Sequence, residues 1–74
     1  MHARQQAEAR NKLRWAAHIN QLMADNGIDR ATALRWDMQA MGASGDAGYY
    51  CYLWGISHAD EEEILRETKE LMAA

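Results

Sequence analysis

No proline interrupts the 74 residues of this chain, and that absence constrains it more than any motif it carries. Proline removes a backbone donor and clashes with the preceding turn, so its absence lets helices run until something else stops them. Alanine, leucine, methionine, glutamate, glutamine, lysine and arginine, the better helix formers, dominate the sequence. Valine and phenylalanine are missing altogether, which leaves strands poorly supported. The expectation is an all-α fold, a compact bundle of three or four helices forming a single small domain over residues 1–74.

Spacing places the helices. Trp15, Ile19, Leu22 and Met23, with Ala16 at the margin, share one face of a first helix running from about Ala3 to Asp25. Arg10, Arg14, Ala17 and Gln21 lie opposite, and the first two turns have little to bury. Asn26-Gly27 offers the left-handed stop, with Ile28 packing back. Asp29 is placed to cap a second helix that ends near Met41 or Gly42. Ala31, Leu34, Met38 and Met41 form its core stripe, while Ala33, Trp36 and Ala40 align on roughly the opposite side. The segment from Gly42 to Gly45 reads as a connection.

Asp46 can cap a short third helix over Ala47 to Trp54, where Tyr49 and Leu53 share one face and Tyr50 and Trp54 another. An apolar run this short also fits a buried strand. Helix is preferred because Gly55-Ile56 repeats the stop at Gly27-Ile28. Ser57 and Asp60 then open a last helix with Ile64, Leu65, Leu71 and Met72 inward and acids in its first turn, which suits the helix dipole.

Charge is uneven. Net charge is −3, yet Arg4, Arg10, Lys12 and Arg14 against Glu8 give the first twenty residues +3. Residues 57–74 carry −4, from six acids against Arg66 and Lys69. Such asymmetry fits a basic face for an anionic partner or, more simply, two helices that attract each other.

Chemistry-bearing patterns are sparse. A lone Cys51 excludes an intramolecular disulfide and a multi-cysteine zinc site. His2, His18, His58 and Cys51 do not fall at metal-ligand spacing, so no metal or cofactor is expected. Cys51 sits in an aromatic run that would blunt a thiolate, and Ser44 and Ser57 carry no nucleophile motif. The glycines match no phosphate-binding fingerprint. The chain is therefore expected not to be an enzyme. With no apolar stretch of spanning length and no signal segment, it is expected to be cytoplasmic and to have no membrane partner.

Two modes of binding remain. Three tryptophans, three tyrosines and five methionines are more bulky apolar side chains than so short a chain is expected to enclose, and such residues favour protein interfaces. Contact with another protein, or a homodimer, is expected through Trp36, Ala33, Ala40, Tyr50 and Trp54, with Arg10 and Arg14 as a secondary stripe. That suits a small regulatory, adaptor or inhibitor protein of the kind found among bacterial, plasmid or phage accessory genes. The stretch from Gln21 to Trp36, helix then glycine-bearing turn then helix, resembles a helix-turn-helix. That resemblance implies a dimeric DNA-binding regulator contacting nucleic acid through Arg30, Thr32, Arg35 and Gln39. Asp29 and Asp37 add negative charge to that helix, and phosphate binding feeds on Lys and Arg, so the protein-contact reading comes first.

Overall fold

A computed structural model describes residues 2–57 together with Glu63 and Arg66. Three α-helices follow one another over residues 2–54: α1 (His2–Asn26), α2 (Arg30–Ala40) and α3 (Ala47–Trp54). No strand occurs among the described residues, so the aromatic run after Gly48 is helical. No helix among them is long and apolar enough to cross a membrane. Of the last helix expected from Ser57 onward, Glu63 and Arg66 are helical, while its inward residues Ile64, Leu65, Leu71 and Met72 lie outside the described residues.

At 1.5 Å per residue the 25 residues of α1 span about 37 Å, close to the longest dimension of 40 Å. Both shorter helices pack on α1. They do so towards its C-terminal half, where Trp15 and Ile19 are buried and Leu22 and Met23 lie against the core. From α2 come Ala33, Leu34 and Met38, from α3 Ala47, Tyr50 and Cys51, and from the turns Ala43 and Ile56. On α1, residues 3–6 are exposed, because neither α2 nor α3 reaches that far.

Local chemistry sets the helix ends. The Asp29 carboxylate accepts from the Thr32 amide at 2.8 Å, and Asp46 from the Tyr49 amide at 3.0 Å, each occupying an otherwise orphaned donor. Hydrogen bonds from Thr32, aided by the positive charge of Arg35, hold the Asp29 carboxyl below its usual range. Each helix closes in the same way. The amides of Ile28, Ala43 and Ile56 reach back to the carbonyls of Met23, Met38 and Cys51, following a glycine with positive φ. The apolar residue after each glycine then folds under the helix it ends.

Two expectations for helix faces change. The Ala33, Trp36 and Ala40 stripe is not one surface. Ala33 is fully buried, Trp36 is 44% exposed and Ala40 is exposed, so this side of α2 is covered at its first turns and open at its last. On α3 the Tyr50 and Trp54 side turns inward, with Tyr50 wholly enclosed. Tyr50 and Ala33 are thus core residues and not contact residues, because the sides of α2 and α3 that carry them close over α1.

Gly55 makes a sharp test of this architecture. Its φ is 71°, its carbonyl accepts from Asn11 Nδ2 at 3.0 Å, and a Cβ there would lie 2.6 Å from that same nitrogen. Gly55→Ala is expected to lower stability in urea unfolding by about 1–2 kcal/mol, the cost of a left-handed L-residue, and by more if Asn11 cannot move. Unchanged stability would mean that the turn is not closed in this way.

Candidate functional site

The most distinctive group of side chains surrounds a carboxylate that entered the sequence reading only as negative charge on the second helix. Asp37 is only 6% exposed. Its Oδ2 accepts from the Tyr50 hydroxyl at 2.7 Å and from Trp54 Nε1 at 2.9 Å. Its Oδ1 meets His18 Nε2 at 3.0 Å. Tyr50 in turn accepts from Trp15 Nε1 at 2.8 Å. Five side chains from three helices thus form one chain of hydrogen bonds, and the His18 and Trp54 rings lie 5.4 Å apart at its solvent edge.

This arrangement satisfies the polar atoms of both inward tryptophans and of the enclosed tyrosine, groups that would be costly to bury unpaired. Burial and the adjacent Asp37 carboxylate push the Tyr50 hydroxyl well above its ordinary range, so it stays a donor to Asp37 while accepting from Trp15. Cys51 is buried on α3, as the aromatic run suggested. Among the described residues no three His, Cys, Asp or Glu side chains are grouped to hold a metal ion.

The residues singled out for binding scatter. For the DNA reading, the Arg30 guanidinium lies over the Trp15 ring, 5.3 Å from its centroid, and so faces the core. Arg35 is half-buried, its Nε enclosed with no hydrogen-bond partner among the described residues. Thr32 is half-buried over the α2 N-cap, and Gln39 alone of the four is exposed. These four therefore present no continuous exposed basic surface. For the protein-contact reading, Trp36, Ala40, Arg10 and Arg14 are exposed, and Trp54 is half-buried with its indole N–H committed to Asp37.

The largest exposed apolar group among the described residues is in neither set. Tyr49, Tyr52 and Leu53 stand on the outer side of α3, where Tyr52 is 70% exposed. The Tyr49 and Tyr52 rings are nearly parallel, 17° apart with centroids at 6.4 Å. Their signal was available: when a short helix is apolar all round, turning one side inward exposes the other. Leu13, 72% exposed on α1, was also passed over because it falls outside that helix's core stripe.

Two measurements test the carboxylate network. Tyr50→Phe removes one donor to Asp37 and strands the Trp15 N–H, and is expected to cost about 1–3 kcal/mol in urea unfolding. A cost near zero would mean that Trp15 and Asp37 have other partners. The second measurement is stability at high pH. Because the folded-state value of Tyr50 is raised, its contribution is complete below the unfolded value of 10.0 and is lost as pH rises above it. Stability should fall by up to about 1.4 kcal/mol per pH unit there relative to Tyr50→Phe; parallel profiles would refute the assignment. Neither a family model, a curated protein nor a solved structure matches this chain.

Proposed function

We propose that this chain is a small non-catalytic interaction protein, a regulator, adaptor or inhibitor that works by contact with another protein or with a second copy of itself. The observation that carries this reading is the outer face of α3. Tyr49, Tyr52 and Leu53 are exposed together on a helix that contains no charged residue. Tyrosine supplies large contact area at low entropic cost, having only two side-chain torsions. The near-parallel packing of Tyr49 against Tyr52 reduces that cost further, since part of the ordering precedes contact. With no charge on the helix, a partner covering it strips no ion of water.

The inward side of α3 supports the same reading. Tyr50 and Trp54 are tied to Asp37, so the helix is fixed from below while its outer side remains open. Binding surfaces gain precision when the elements that carry them are rigid. Trp36, exposed on α2, supplies a further aromatic contact of the kind that dominates interface energetics. A fully enclosed thiol at Cys51 fits a reducing compartment, and the proposed location is the cytoplasm.

The double variant Tyr52→Ser with Leu53→Ser tests this directly. Its unfolding free energy should stay within about 0.5 kcal/mol of the parent, as for surface substitutions generally. Self-association in sedimentation equilibrium, or a defined co-purifying protein, should be lost. Two results would overturn the reading: association and co-purification identical in parent and variant, or retention on random duplex DNA that weakens steeply with salt while the variant behaves as the parent.

A further inference from the structure

The other large aliphatic side chain exposed among the described residues, Leu13, lies on a different helix in a different electrostatic setting. On α1, Ala9, Leu13 and Ala17 recur every fourth residue and stack on one side of the helix, and all three are exposed. Arg10 and Arg14, each one residue further on, line one flank of that stripe and are likewise exposed. Neither arginine is paired with an acid within the described residues, where His18 meets Asp37. The surface therefore combines an uncovered leucine, a small residue one turn to either side, and two positive charges along one edge.

We infer that this face of α1 docks an acidic amphipathic helix of a partner protein. The alanines let a second helix approach closely enough to cover Leu13, as small residues do wherever helices pack tightly. Glutamates flanking the partner's apolar stripe would meet Arg10 and Arg14, and the planar guanidinium fork suits a carboxylate better than an ammonium would. Charge complementarity selects this occupant over two others. A nucleic acid backbone offers nothing apolar to cover Leu13, and the chain's net charge of −3 repels a long polyanion. A lipid surface requires more than one leucine beside two arginines, since stable membrane attachment takes two substantial signals. The face is distinct from the outer side of α3, so either surface can fail its test without the other.

The test uses the full chain and a synthetic helix-forming peptide of glutamate, alanine and leucine, with leucines at alternating three- and four-residue spacing. Binding is followed by fluorescence anisotropy of the labelled peptide. The expected result is saturable binding that weakens roughly tenfold or more as salt rises from about 0.05 M to about 0.5 M. It should also weaken roughly tenfold in Leu13→Ser and in Arg10→Glu with Arg14→Glu, while Tyr52→Ser with Leu53→Ser leaves it unchanged. Both α1 substitutions are at exposed positions, and far-ultraviolet circular dichroism verifies that their helix content is retained. The inference is overturned if the peptide does not bind, if its binding ignores the α1 substitutions, or if a lysine version of the peptide binds equally well. It is overturned too if duplex DNA or vesicles of phosphatidylserine and phosphatidylcholine bind through Arg10 and Arg14 in preference to the peptide.

Discussion

A carboxylate buried in so small a protein is the constraint on which the rest of this structure depends. Isolated in a core, Asp37 would be among the most destabilising groups the chain could carry. Here it is surrounded by donors from the two other helices: His18 from α1, and Tyr50 and Trp54 from α3. These bonds are directional, unlike the apolar contacts around them, so they define how α2 is rotated against its neighbours as well as that it is packed. A small core contributes little net stability, and a satisfied polar network is one way such a core comes to prefer a single arrangement.

The same network explains which aromatic rings are outside. Tyr50 and Trp54 are four residues apart and therefore point the same way from α3. Once both are bonded to Asp37, Tyr49, Tyr52 and Leu53 are left on the sides that α1 and α2 do not cover. The exposed patch is thus the geometric counterpart of the buried bonds. A helix of eight residues that is apolar all round is not enclosed by the two helices that neighbour it among the described residues. On α1 the logic differs: Leu13 is exposed because the core stripe is set by Trp15 and Ile19, and Leu13 lies off it.

Much of this architecture was legible from residue order alone. The capping acids Asp29 and Asp46, and the stops at Gly27 and Gly55, bracket helices whose observed limits lie within a residue or two of those expected. The reason is that caps and left-handed closures act over four or five residues and need no distant partner. Trp15, Ile19, Leu34 and Met38 were likewise readable as core, since each repeats at helical spacing. Misreadings came where a residue's surroundings are supplied by another helix. Tyr50 looked like a contact residue, and Asp37 entered only as negative charge on the second helix. Arg30 looked like an outward cation, whereas it lies over Trp15.

By itself, then, the sequence determined that the chain is helical, where its helices begin and end, and which stripes on α1 and α2 face a core. These follow from proline's absence, from capping and from periodicity, all short-range effects. Only the tertiary structure decided which side of the all-apolar α3 turns inward, and that a carboxylate lies at the meeting point of three helices. Hydrogen bonds between residues 13 to 35 positions apart depend on how the helices come together, and helical periodicity carries no record of that.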